Sequence, residues 1–84
     1  MKTVKVYTTS YCPYCQRAKN LLKQKGIAFQ EIDLTHDDVT RQSLQEKTGW
    51  MTVPMIFIGE EFVGGCDDLY ALDSVGELEK KIKA

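Results

Sequence analysis

The chain has 84 residues, 43% hydrophobic and 27% charged, which bounds it to one small globular domain, 1–84, with a single core. Eleven basic and twelve acidic side chains leave a net charge of −1 with no basic patch, so the electrostatic footprint of a nucleic-acid binder is missing. No stretch approaches the ~20 apolar residues of a membrane span, Met1-Lys2-Thr3-Val4-Lys5 is not the apolar core of a signal peptide, and three cysteines are too few for a secreted disulfide scaffold, so a reducing, cytoplasmic setting without membrane partners is expected.

The first predicted element is a strand, Val4 to Thr8, with Val4 and Val6 on one face and Tyr7 on the other. Cys12-Pro13-Tyr14-Cys15 follows where the strand gives way to a segment of helical composition, Gln16 to Lys25. Pro13 sits just inside that helix, where its missing N–H is harmless. Cys15, Ala18 and Leu22 share one helical face, with Leu21 beside it, while Lys19 and Lys23 point elsewhere. Gly26 is a C-terminal stop. A second strand, Ala28 to Ile32, completes a right-handed parallel β-α-β unit.

Thr35 and Asp38 resemble a capping box for a second helix, which runs to Thr48 and stops at Gly49. Its apolar stripe, Val39 and Leu44, is thin, so it is expected to be largely exposed. Pro54 introduces Met55-Ile56-Phe57-Ile58, then Gly59-Glu60, then Glu61-Phe62-Val63; two apolar runs flanking a Gly-X pair predict a β-hairpin. Gly64-Gly65 breaks the chain. Asp67-Asp68 caps a last helix carrying Leu69, Tyr70, Leu72, Val75, Leu78 and Ile82, bent or divided at Gly76. The order β-α-β-α-β-β-α predicts an α/β domain: a four-stranded mixed sheet flanked by helices on both faces.

The C-x-x-C carries the chemistry. At a helix N-terminus, unpaired backbone N–H groups and the helix dipole favour an anion. A thiol placed there tends toward the thiolate, the form that attacks disulfides. Half a zinc site, or a pair of buried cysteines, would give the same spacing; the strand–turn–helix context favours a redox pair.

Cys12-Pro13-Tyr14-Cys15, Thr52-Val53-Pro54 and Gly64-Gly65-Cys66-Asp67-Asp68 together resemble the dithiol glutaredoxins, over roughly Val4 to Ile82. The resemblance implies a thioredoxin-like fold. It implies a glutathione-dependent thiol–disulfide oxidoreductase acting on protein disulfides and protein–glutathione mixed disulfides. Glutathione is then the electron donor, kept reduced by an NADPH-dependent glutathione reductase. No bound cofactor or metal is implied, and a monomer is expected. Cys12 takes the role of nucleophile and Cys15 that of a more buried resolving thiol, while Tyr14 flanks the substrate. Thr52, Val53 and Pro54 form one wall of the glutathione site; the family's proline is cis, which turns the main chain of Val53 toward the ligand. Gly65, Cys66 and Asp67 match the γ-glutamyl end, with Asp67 accepting from the ligand's amino group or capping the helix. Cys66 reads as a semi-exposed, non-catalytic thiol. Arg41 falls where the family often has a basic or amide residue for the glycyl carboxylate. Many members carry a lysine three residues before the first cysteine; Thr9 stands here, which leaves more of the binding to Arg41. Lys19, in the first helix, could partly compensate.

Three other readings share these residues. One is a glutaredoxin-like redoxin reduced by thioredoxin reductase. Another is an iron–sulfur module in which two copies hold a cluster through Cys12 and glutathione; proline after the first cysteine argues against it within the family. A zinc site from Cys12, Cys15, Cys66 and His36 is chemically allowed, although His36 reads as a surface residue.

Overall fold

The structure, a computed structural model, describes residues 2–83. Its elements are β1 (Val4–Thr8), α1 (Pro13–Gln24), β2 (Gln30–Asp33), α2 (Asp38–Thr48), β3 (Met55–Ile58), β4 (Glu61–Gly64), α3 (Cys66–Ser74) and α4 (Leu78–Lys83). The sheet runs β2-β1-β3-β4. β1 pairs in parallel with β2 and antiparallel with β3, and β3 pairs antiparallel with β4. This is the four-stranded mixed sheet the sequence predicts.

Apolar side chains on the two faces of the sheet make two cores. Val4, Val6, Ile56 and Ile58 meet Ala18 and Leu22 of α1, Leu69 of α3, and Leu78 and Ile82 of α4. Met55 and Phe57 point the other way, toward Leu34 and Leu44. Every residue of β3 is buried, because that strand lies between two others and is covered on both faces. Val39, by contrast, is 82% exposed, and Leu44 is the only buried residue of α2. Among the described residues, no helix is long and apolar enough to cross a membrane.

Of the two outcomes expected at Gly76, the structure has the last helix divided in two, while other local features differ from expectation, each for a physical reason. Gly76 takes φ +74, its N–H donates to Asp73 O, and the Glu77 N–H donates to Leu72 O. That is a Schellman closure, which ends α3 outright. Val75, at the closure, is 68% exposed rather than part of a buried stripe. The same closure ends α1: Gly26 (φ +70) donates to Lys23 O and Ile27 donates to Leu22 O. Ile27 and Phe29 then pack against the α1 core instead of pairing in the sheet, so β2 starts at Gln30 rather than Ala28 and ends at Asp33. Finally, α2 is capped by Asp37, whose side chain accepts from the Thr40 N–H. The Thr35 hydroxyl is occupied by Asp33 and by the Ser10 N–H, so Thr35 and Asp38 form no capping box.

At the end of β4, Gly64 has φ +126, and a Cβ there would overlap the Asp68 carboxylate. Gly64→Ala combines backbone strain with loss of the Asp68 bond that caps α3, and should destabilise the domain by about 2–4 kcal/mol in urea denaturation. A loss within error of zero would mean that the turn has another conformation.

Candidate active site

α1 begins with a sulfur. Cys12 is its N-cap, with an extended backbone, and Cys12 Sγ accepts from the Cys15 N–H at 3.3 Å. Serine or aspartate oxygen ordinarily does this job. One otherwise unpaired N–H of the first turn is therefore aimed at Cys12 Sγ, and the positive end of the helix dipole adds to it. On its other side, the Cys12 thiol donates to the carbonyl oxygen of Val53 at 3.5 Å. This contact ties the C-P-Y-C turn to the Val53-Pro54 loop, whose peptide bond is cis.

Cys15, one turn into α1, is 2% exposed. Its thiol is pushed up to about 12, first by burial and then by its hydrogen bond with Cys12; the Thr9 main chain and the charge of Lys19 work in the opposite direction. The two thiols of one tetrapeptide thus occupy opposite environments. Cys12 is partly open and N–H-bonded, while Cys15 is dry and held protonated.

Beside Cys12 opens a groove of about 410 Å³. Tyr14, Thr52, Val53, Pro54, Gly65, Cys66 and Asp67 all line it, together with Trp50 and Asp68. Gly65 is the N-cap of α3, and its N–H donates to Asp68 Oδ2 at 2.9 Å. Asp68 therefore does the capping, and the exposed Asp67 is left facing the groove.

One expectation needs correction here. Cys66 is not semi-exposed. It is 4% exposed, packed with Ala18 and Leu69, and burial pushes its thiol up. Arg41, in the first turn of α2, is not among the residues lining the groove. Thr9, in the place of the lysine of many relatives, is 4% exposed and faces inward. Lys19 pairs with Glu31 at 2.9 Å. His36 is exposed, and among the described residues no group of three or more potential metal ligands comes together.

The sequence reading missed four contributors. Trp50 lines the groove, stacks edge-on with Phe62, and lies beside Gly65. A lone tryptophan directly before Met51-Thr52-Val53-Pro54 was the available signal. Arg17 lies over the rings of Tyr14 and Tyr70, at 5.8 and 5.6 Å, and its charge reaches Cys66. Tyr11 and Met51, next in sequence to Cys12 and Thr52, are 71% and 64% exposed.

The family model described as Glutaredoxin matches residues 4–63. The chain belongs to the glutaredoxin family. A Pseudomonas aeruginosa glutaredoxin is 51% identical over the full length of both chains. Escherichia coli glutaredoxin 3 is 47% identical over 99% of this chain and all of that protein. The crystal structure of a buckwheat glutaredoxin–glutathione complex superposes with a TM-score of 0.92 at 34% identity, covering 98% of this chain and 77% of that one. Glutaredoxins share the thioredoxin-like fold, so the sheet and helices described above have that architecture here. Like its relatives, this glutaredoxin is a thiol–disulfide oxidoreductase. The metal-binding and thioredoxin-reductase-linked readings are not favoured.

Proposed function

We propose that this glutaredoxin uses glutathione as its electron donor and binds it in the groove beside Cys12. The observation that carries this reading is the run of the groove from the Val53-Pro54 loop to the N-terminus of α3. The carbonyl at its near end contacts the nucleophilic sulfur, and the helix start at its far end suits a carboxylate. The buckwheat relative, so close in fold, is itself a glutathione complex. The proposed contacts are Tyr14, Thr52, Val53, Pro54 and Trp50 along the walls. Gly65, Cys66 and Asp67 hold the γ-glutamyl end, with Asp67 accepting from the ligand's ammonium.

Two routes follow from thiol–disulfide exchange. With a glutathionylated protein, the Cys12 thiolate attacks the glutathione sulfur and the protein thiolate leaves. A second glutathione thiolate then attacks the glutathione sulfur on Cys12, which yields glutathione disulfide and frees Cys12. With a protein disulfide, Cys12 forms a mixed disulfide and Cys15 displaces the reduced protein. Two glutathiones then reopen Cys12–Cys15. Glutathione reductase, with NADPH, regenerates the donor. Exposed Tyr11, Tyr14 and Met51 around the reactive turn suit apolar surface on protein partners. The working form is a cytoplasmic monomer.

A coupled assay with glutathione, glutathione reductase and NADPH should support turnover; turnover only with thioredoxin reductase would overturn the reading. Asp67→Asn should raise the KM for a glutathionylated peptide about tenfold, through loss of a charge-assisted bond. Arg41 lies outside the groove lining, and its proposed part is long-range attraction of the glycyl carboxylate. Arg41→Ala should raise KM about two- to fourfold at low salt, with the effect fading as salt screens it. Equal effects of the two substitutions at high salt would place Arg41 in direct contact.

A further inference from the structure

Resting on the glutathione reading above, we propose that Trp50 is a specificity-determining residue of the groove: its indole N–H donates to the α-carboxylate of the γ-glutamyl group at the start of α3. Trp50 is the single tryptophan of the chain and lines the groove with Gly65, Cys66 and Asp67. Its Nε1 is shut off from solvent, and no protein group accepts a hydrogen bond from it. Such orphaned donors are rare, because a buried N–H without a partner forfeits the bond it makes with water in the unfolded chain. The other buried side-chain atom without a partner among the described residues, Thr9 Oγ1, lies outside the groove lining.

The place of this donor decides what it suits. A Cβ on Gly65, the N-cap of α3, would lie 3.6 Å from Trp50 Nε1 and 3.4 Å from Cζ2. The N–H edge of the indole therefore packs against the residue that opens α3. Main-chain N–H groups of the first turn favour an anion at that point, and the indole nitrogen is a donor only. In the same corner the exposed Asp67 supplies a carboxylate. Donors beside a carboxylate match the head of an α-amino acid: its carboxylate meets the donors and its ammonium meets Asp67. Within glutathione, only the γ-glutamyl end carries both groups. Phe62 holds the ring edge-on at 5.7 Å, and Gly65 has no side chain to block it. A small rotation of the half-buried indole carries Nε1 off Gly65 and into the groove.

A packed wall and a hydrogen-bond donor make different predictions. If the ring only fills space, replacing it weakens every substrate that occupies the groove by the same factor. If the N–H bonds the γ-glutamyl carboxylate, its loss weakens only substrates that bring this carboxylate. Trp50→Phe keeps an aromatic ring beside Phe62 without the N–H. Because the chain has a single tryptophan, protein made with 3-benzothienylalanine in place of tryptophan differs from the parent at this position alone. That residue keeps the shape of the indole, with sulfur where the N–H stands.

The test uses the full chain, reduced and mixed in single turnover with a fluorescent peptide and no free glutathione. The cysteine of the peptide carries either glutathione or cysteinylglycine, which lacks the γ-glutamyl group. Cys12 attacks the sulfur of the small thiol, and the release of the peptide thiolate is timed. The parent should attack the glutathionylated peptide the faster. In Trp50→Phe and in the benzothienylalanine protein, the second-order rate constant should fall about tenfold with the glutathionylated peptide and stay within about twofold with the cysteinylglycyl one. Equal falls with both peptides, or an unchanged rate with the glutathionylated peptide, overturn the proposal. A thermal melt accompanies each protein; were Trp50→Phe to unfold, the benzothienylalanine protein decides alone. A parent preference for the glutathionylated peptide that survives both replacements removes this role of Trp50 and leaves glutathione in the groove. Equal parent rates with the two peptides would mean that the groove does not read the γ-glutamyl group, and the glutathione assignment would fall together with this proposal.

Discussion

Cys12→Ser should abolish reduction of both protein disulfides and glutathionylated proteins, by ~10³-fold or more, while the fold survives. Serine is a preferred N-cap. Its hydroxyl can take the bond that Cys12 Sγ now accepts from the Cys15 N–H, so α1 keeps its start, and unfolding should shift by no more than about 1 kcal/mol. What disappears is chemical. A hydroxyl in that position is not ionised at neutral pH and does not attack sulfur. Neither remaining thiol can stand in. Cys15 is 2% exposed and pushed up to about 12, and Cys66 is 4% exposed with its thiol also pushed up. Coupled assays on both substrates, beside a thermal melt, check the two halves together. Residual turnover of more than a few per cent, with the melt unchanged, would assign the attack to another cysteine.

The fold was readable in this sequence wherever local pattern and tertiary demand agree. Gly26, Gly49 and Gly59 sit at the stops and the turn that the chain order needs, all with positive φ. The Met55–Ile58 run is apolar at every position because β3 is covered on both faces. Pattern fails where one residue has two possible employers. In Asp33-Leu34-Thr35-His36-Asp37-Asp38 three side chains could start α2, and tertiary contacts of Thr35 with Ser10 and Asp33 leave the cap to Asp37. Ile27 and Phe29 look like strand residues but plug the end of α1. Cys66, in the first turn of a helix, would be expected at the surface; α1 and α3 share a core that encloses it.

The site divides the same way. The near wall and the far end could be named in sequence because they are contiguous motifs, and the structure brings them into one groove. Trp50 and Arg17 reach the groove or its edge only through folding, Trp50 beside Gly65 and Arg17 across Tyr14 and Tyr70. Counting back from Thr52-Val53-Pro54 gave Arg41 a position along the chain, but not a direction for its side chain, which lies outside the groove lining.

Cys15→Ser should separate the two routes. Deglutathionylation needs only Cys12 and an incoming glutathione thiolate, so its rate should stay within about threefold of the parent. Reduction of a protein disulfide should fall by about 100-fold or more, because release of the product from Cys12 then waits for a bimolecular attack in place of a neighbouring thiol. In the proposed scheme the burial of Cys15, which favours its protonated form, slows its attack on Cys12, so a glutathione mixed disulfide on Cys12 would have time to meet its second glutathione. The serine variant removes that competition altogether and should accumulate the mixed disulfide with a protein substrate, visible as a covalent complex in non-reducing gels and by mass. Loss of both activities together would mean that Cys15 also supports the first attack; survival of both would mean that glutathione alone clears the protein adduct and that the second cysteine has no part in resolution.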